Sequence, residues 1–190
     1  MSLGLKILSV EPGNVILSPL NIAHAFSILQ SGSSGKTKER IERLLTPLDI
    51  ETIASVVSHV PPEVAIAARL FLSAKFEIKS AFDAKSRKTF GALLSEHVTY
   101  DEPNVAVRCI NAWVARSTDN RIENLVSSGD ISPLTRLMIV STIVFKGHWK
   151  IPFESTFQAQ FNQKWETTFM RVSKAWLVKP FVIYFLQIII

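Results

Sequence analysis

Residues 137–145 form a nearly continuous apolar run that is rich in β-branched side chains, and this run limits the fold more than any other feature of the chain. A strand with one wet face alternates apolar and polar residues, whereas a strand covered on both faces does not need to alternate. The run therefore predicts a central β-strand that other elements cover on both sides.

The chain before this run predicts helices with strands interspersed among them. The predicted helices lie at residues 18–32, 38–45, 49–60 and 82–90 and from residue 104, and the predicted strands lie at 15–17, 64–72 and 92–100. This arrangement of helices and long strands indicates an α+β domain.

The first of these helices carries clear start and stop signals. Ser18 can cap its N-terminus, and Pro19 fits the first turn, where a missing N–H has no consequence. Apolar residues then recur with the spacing of one helix face, and Gly32 is a suitable terminator. The segment therefore predicts an amphipathic helix that buries one stripe of side chains.

The length, composition and charge of the chain predict one folded domain with an ordinary solvated surface. The chain has 190 residues, of which 47% are hydrophobic and 19% charged, a composition that argues against disorder and is sufficient for one core. The formal net charge is +5, but acidic and basic residues are mixed along the chain. A surface of this kind does not predict nucleic-acid binding.

The sequence contains no recognisable constellation for catalysis, metals or cofactors. Residues 32–37 (GSSGKT) look like a phosphate-binding loop, but Gln30 stands where that motif requires a glycine, and the loop follows a helix instead of a strand. The four histidines lack metal-ligand spacing, and no nucleophile elbow is present. We therefore predict a protein that is not an enzyme and that uses no metal or cofactor.

The single cysteine and the two ends of the chain are the features that could indicate where the protein is located in or outside the cell. Cys109 can form no intrachain disulfide, and its apolar neighbours predict a buried structural thiol. No secretory signal is visible near the start. Residues 176–190 are almost all apolar but fall short of the ~20 residues of a membrane span, so a membrane anchor is the lesser alternative to a tail outside the fold.

Four segments, in order along the chain, resemble motifs of the serpin family of serine protease inhibitors. They are NVILSPLNI at 14–22, GSSGKT at 32–37, INAWV at 110–114 followed by Thr118 and Arg121-Ile122, and the long strand that ends in FKGHW at 145–149. The resemblance covers residues 14 to about 160 and implies the N-terminal half of a serpin domain. Residues 1–13 look like a remnant of the first helix of the family, and residues 161–190 form a divergent apolar tail outside the family pattern.

The resemblance implies a partial serpin fold of the α+β class. Helices would pack on a main β-sheet of which only the first three strands are present, starting near Val64, Ala92 and Leu137. The far strands of that sheet come later in the family, so the strand at 137–145 would become an exposed edge. An apolar edge is a template for wrong pairing, which predicts a protein partner that completes the sheet.

The same resemblance places a set of residues in the region that determines the fold and lets the sheet open. They are Asn14, Ser18, Pro19, Asn21, Asn111, Trp113, Ser141, Phe145, Gly147 and Trp149. Asn21 stands where the family usually has serine, and Ser141 stands where it usually has asparagine. The alternative is that all these residues merely determine the fold.

Members of the family inhibit serine-type endopeptidases with a reactive loop near the C-terminus, which inserts into the main sheet after cleavage. This chain lacks that loop, so we expect it not to inhibit as it stands, and a serine protease is its partner only if the missing half exists. Three alternatives stay open: an incompletely recorded serpin, a short product that binds a partner through its open sheet edge, and a tail-anchored fragment. Resemblance favours an extracellular protein, and the absence of a visible signal makes a cytoplasmic one the alternative.

Overall fold

The computed structural model describes residues 17–91 and 95–147 in full and the backbone of three further strands at 155–161, 165–171 and 181–186. Predicted residues 15 and 16, Asn14 and Trp149 lie outside the described residues, and Leu17 is not part of a strand. The helices of the described part are α1 (Pro19–Gly32), α2 (Gly35–Leu45), α3 (Ile50–Ser58), α4 (Ser80–Phe90) and α5 (Pro103–Ser117). The strands are β1 (Val64–Ser73), β2 (Ser95–Val98), β3 (Leu137–Gly147), β4 (Ser155–Phe161), β5 (Trp165–Arg171) and β6 (Phe181–Leu186).

Local capping signals explain where several helices begin and end. The Asp49 side chain accepts a hydrogen bond from the backbone N–H of Thr52 at 2.7 Å and so caps α3. Helix α4 ends at Gly91, which adopts the left-handed conformation with φ +73° that glycine takes at little cost. The five predicted helices are therefore confirmed, with bounds that differ by a few residues.

The main sheet has the strand order β2-β1-β3-β6. Strands β1 and β2 are parallel and in register from Leu70 opposite Ser95 to Ser73 opposite Val98. The strands predicted near Val64, Ala92 and Leu137 are all present. Strand β2 ends at Val98, two residues before the predicted end at residue 100, and predicted residues 92–94 lie outside the described residues. The predicted α+β class, with helices packed on the first three strands of the sheet, is confirmed.

The predicted exposed edge at residues 137–145 is wrong, because β6 lies beside β3 in the sheet. Strand β6 comes from the apolar tail, whose sequence FVIYFL is rich in residues that favour strands. Pairing with β6 gives the backbone N–H and C=O groups of β3 partners on that side. Strand β3 is therefore an interior strand of the sheet.

Both faces of β3 are covered, as its apolar run predicts. Met138 and Val140 pack in a core cluster with Ile110 and Val114 of α5. Ile139, which points to the opposite face, packs in a second cluster with Ala25 and Ile28 of α1 and Leu70 of β1. This explains why residues 137–145 of β3 are apolar or uncharged on both faces of the sheet.

The chain divides into two compact units, one formed by Met1–Val144 with Tyr184–Ile190 and the other by Phe145–Ile183. The second unit contains an antiparallel pair of strands, β4 and β5, in register from Ser155 opposite Arg171 to Phe161 opposite Trp165. The predicted boundary of the family pattern near residue 160 falls at the end of β4 and stays a prediction. Among the described residues, no helix is both long enough and apolar enough to span a membrane.

Candidate functional site beneath the central strand

The start of α1 is built as the sequence predicts. Ser18 is extended and lies at the N-cap, where its Oγ accepts a hydrogen bond from the backbone N–H of Asn21 at 3.3 Å. Pro19 occupies the first turn. This cap stabilises the first turn of α1, which contains Asn21.

Asn21 and Ser141 form a buried hydrogen bond that joins α1 to the middle of β3. The Ser141 hydroxyl donates to Asn21 Oδ1 at 2.6 Å, and the backbone oxygen of Ala67 in β1 lies 3.3 Å from the same Oγ. Only 2% of Asn21 and none of Ser141 is exposed. A bond shielded from water in this way is worth more than one at the surface, and an unpaired group there is costly.

The two residue types of this contact are exchanged relative to those that the serpin resemblance leads us to expect. The family usually carries serine at the position of Asn21 and asparagine at that of Ser141. The structure brings both positions together, so the two departures are two halves of one contact. Each arrangement provides one hydroxyl and one amide, which is enough for a donor and an acceptor.

Asn111 and Trp113 lie on α5, at the other face of the sheet. The Asn111 amide donates from Nδ2 to the Val126 backbone oxygen at 2.8 Å, and its Oδ1 accepts from the backbone N–H groups of Leu125 and Val126 at 3.0 and 2.9 Å. Asn111 is buried, and this set of bonds ties the chain after α5 back onto the helix. Asn111 therefore holds the segment after α5 against the helix. None of its described hydrogen bonds reaches Asn21 or Ser141.

Trp113 packs between the core and an ion pair. Its ring meets the Phe71 ring edge-on with centroids 5.8 Å apart, and the guanidinium carbon of Arg69 lies 5.4 Å from the Trp113 ring centroid. Arg69 Nη1 also lies 2.5 Å from Glu96 Oε2. Desolvation opposes ionisation of Glu96, but the bond and charge of Arg69 together with a bond from Cys109 hold the pKa of this carboxyl below its usual value.

Phe145 and Gly147 lie at the end of β3, in the second compact unit. A Cβ atom placed on Gly147 would lie 2.5 Å from Cζ of the Phe145 ring, so any larger residue would displace that ring. Gly147 is buried and Phe145 is half-buried. The remaining predicted residues, Asn14 and Trp149, lie outside the described residues.

Sequence reasoning missed the ion pair of Arg69 and Glu96, which joins β1 to β2. The available signal was Arg69, the lone charged residue inside the apolar strand 64–72.

Cys109, predicted to be buried, is only half-buried and donates from Sγ to Glu96 Oε1 at 3.2 Å. Burial, with the bond to Glu96, raises the pKa of the Cys109 thiol to about 11, so it stays protonated near neutral pH.

His24 is a second buried polar residue on the inner face of α1. Burial lowers the pKa of its imidazole from 6.5 to about 4, and its Nδ1 has no hydrogen-bond partner among the described residues. Unfolded His24 therefore binds a proton below pH 6.5, whereas the folded form does so only near pH 4.

We expect acid to destabilise the fold through His24, because its folded pKa is depressed. The contribution of neutral His24 to stability is complete above pH 6.5 and is lost as the pH falls towards 4, by about 3 kcal/mol. Urea unfolding of the chain and of His24→Gln at several pH values measures this effect, and the variant should show a shallower loss. His59→Gln, at an exposed histidine, is the control, and equal pH slopes for all three proteins would contradict the prediction.

The comparison with known proteins identifies the class. A family model described as "Serpin (serine protease inhibitor)" matches residues 5–175, so the chain belongs to the serpin family, which comprises protease inhibitors and not enzymes. This match starts before and ends after the segment that carries the recognisable motifs.

Individual relatives agree with this family. The chain is 29% identical to human Serpin I2 over 80% of its own length and 40% of the relative, and 31% identical to mouse glia-derived nexin over 74% and 38%. The solved structure of Serpin48 from Tenebrio molitor superposes with a TM-score of 0.73 at 27% identity, covering 88% of this chain and 49% of that one. The chain thus spans about 40% of the length of the curated relatives it matches.

Proposed function

We propose that this chain forms the N-terminal half of a serine protease inhibitor and supplies one side of the sheet into which a reactive loop would insert. The observation that carries this proposal is the family match over residues 5–175 in a chain that spans only about 40% of its relatives. The order β2-β1-β3 agrees with the strands that the resemblance assigns to the near side of the sheet.

The buried contact under β3 has a mechanical role in this proposal. A sheet can admit a new strand only if β3 moves relative to the helices packed beneath it, and the Asn21–Ser141 bond links β3 to α1. Breaking the bond without replacement would leave polar groups unpaired in the core. The bond therefore resists movement of β3, and the strength of this resistance sets how easily the sheet opens.

The other predicted residues support the same sheet from different sides. Ser18 and Pro19 set the direction of α1, Asn111 and Trp113 hold α5 over the opposite face, and Gly147 lets the Phe145 ring pack at the end of β3. We propose that these residues position the sheet, and that none of them touches a protease.

The 190 residues as an isolated polypeptide are expected not to inhibit serine proteases, because inhibition by strand insertion needs a bait loop as well as a sheet. The test incubates the polypeptide in excess with trypsin, chymotrypsin and pancreatic elastase, and measures residual activity and complexes that survive SDS. Pig leukocyte elastase inhibitor with elastase is the positive control. Full residual activity is the expected result, and an SDS-stable complex would overturn this part of the proposal.

The inhibitory role of the whole protein needs a separate test. The transcript is sequenced beyond the codon of residue 160 and the encoded chain is expressed. We expect further strands, a hinge of small residues and an SDS-stable complex with at least one of the three proteases. A chain with those strands that forms no complex and is simply cleaved would show that the fold serves another purpose.

A partner that completes the sheet at β3 is not part of this proposal, because β6 of the same chain already lies beside β3. Such a partner would first have to displace β6. The extracellular location stays a prediction from the resemblance.

A further inference from the structure

A cavity of about 290 Å³ lies at the C-terminal end of α1, where this helix meets the last part of β1 and the start of α4. This volume is at the lower limit of the roughly 300–1,000 Å³ that small-molecule sites occupy. The described side chains in its wall are apolar, except those of Ser33 and Lys79. A site of this size and lining suits a ligand with a short apolar body.

The cavity leaves one side of a core cluster uncovered. Ile28 and Leu70 are buried in this cluster, whereas Leu72, Phe82 and Leu137 pack against it and are only partly buried. All five residues line the cavity, so part of their apolar surface faces an open space between the elements. An apolar group that fills this space would remove that surface from water, and the gain grows with the area that is buried.

The Phe82 ring forms a wall of the cavity that is in place before any ligand binds. A Cβ atom on Gly32 would lie 2.9 Å from Cε2 of this ring, so the ring lies directly against the end of α1. The Phe82 side chain also packs on the core cluster of α1, β1 and β3. A wall that is already ordered lowers the entropic cost of binding a ligand.

Lys79 is the one charged residue among the described residues of the wall. It is exposed at the start of α4, its side chain makes no capping hydrogen bond, and it forms no ion pair with any described residue. The hydroxyl of Ser33 already donates to the Gln30 backbone oxygen at 3.0 Å. The polar group that this wall favours is therefore an anion that pairs with Lys79.

We propose that this cavity binds a small carboxylate with a flexible apolar chain, of the size of a medium-chain fatty acid. The carboxylate lies at Lys79, and the chain packs against Leu72, Phe82 and Leu137. A flexible chain is favoured over a rigid ring system because the cavity is small and narrow ligands can adapt to it. This site goes beyond the inhibitor function and does not depend on it, because its described wall lies within residues 28–137.

Isothermal titration calorimetry of the complete 190-residue chain with octanoate, and in parallel with uncharged 1-octanol, tests this site. We expect octanoate to saturate one site per chain with a dissociation constant of about 1 mM or tighter. Lys79→Gln should weaken octanoate binding about threefold, as expected for one exposed ion pair, and leave octanol binding unchanged. Lys85→Gln, at an exposed position of α4 outside the cavity, should leave the binding of both ligands unchanged.

Two further measurements locate the apolar chain of the ligand. Leu72→Phe, which places a larger side chain in the wall, should weaken both ligands at least about fivefold, whereas the volume-conserving Leu72→Met should change them less than about twofold. In the unaltered chain, NMR should show that octanoate shifts the backbone amide signals of Gly32 and Ser33 and not that of Gly129, which lies outside the cavity. The proposal is overturned if octanoate binding does not saturate, if the two lysine variants behave alike, if the two Leu72 variants bind equally well, or if the signals of Gly32 and Ser33 do not move.

Discussion

Replacing Asn111 with alanine is expected to lower the free energy of unfolding by about 3–5 kcal/mol. The Asn111 side chain makes three hydrogen bonds to the backbone of Leu125 and Val126, at 2.8 to 3.0 Å. Val126 is 3% exposed, so its backbone N–H and C=O cannot form hydrogen bonds with water when the Asn111 amide is removed. Each group would remain buried and unpaired, which is the most costly way to lose a hydrogen bond.

Urea unfolding followed by tryptophan fluorescence measures this loss, and amide hydrogen exchange locates it. The N–H groups of Leu125 and Val126 should exchange much faster in the variant, whereas the amides in the middle of β3 should follow only the global stability. Asn104→Ala is the matched control, because Asn104 is exposed near the start of the same helix. Equal losses for the two variants would show that Asn111 does not hold the segment after α5.

Local patterns were sufficient to predict most of the helices and strands. The start of α1 followed from Ser18 and Pro19, whose effects depend on neighbouring residues alone. The central position of β3 followed from an apolar run that only a strand covered on both faces can carry. In both cases the information lies within a few residues of the element that it specifies.

The contacts of the site could not be predicted in the same way, because they join distant parts of the chain. Asn21 and Ser141 are 120 residues apart, and no local pattern states which polar side chains will face each other in a core. The resemblance identified both residues as departures but not as partners. A serine inside the apolar run at 137–145 was nevertheless a signal, since a buried hydroxyl needs a partner.

The place of β6 was missed for a related reason. Its apolar sequence was visible, but strand pairing between the end of a chain and its middle leaves no trace in either segment alone. The apolar run of β3 was correctly expected to need another strand paired along its open edge. The sequence did not indicate that the tail of the same chain would supply it.

Exchanging Asn21 and Ser141 with each other is expected to cost much less stability than either single change. Ser141→Asn should lower the free energy of unfolding by about 2–3 kcal/mol, because a larger side chain enters a fully buried position that already faces an amide. Asn21→Ser should lower it by about 1–2 kcal/mol, through the lost bond and the space left behind. The double variant should recover at least about 1.5 kcal/mol of the summed loss.

The physical reason is that the double variant keeps both the volume and the chemistry of the contact. An asparagine at position 141 could donate from its amide to a serine hydroxyl at position 21, and the total side-chain volume would not change. Ser55→Asn, at an exposed position of α3, is the control for the serine-to-asparagine change and should alter stability by less than about 0.5 kcal/mol. Urea unfolding of all five proteins provides the double-mutant cycle.

Additive single effects, within about 0.5 kcal/mol, would mean that the two side chains do not act as a pair and that their bond does not link α1 to β3. A large coupling energy between positions 21 and 141 would mean that the two side chains act as one unit. It would also mean that the hydroxyl and the amide can each come from either position. The resistance to movement of β3 would then depend on the presence of a hydroxyl–amide bond and not on which element carries the hydroxyl. On that basis the two departures from the family pattern preserve the link beneath the central strand, because each compensates for the other.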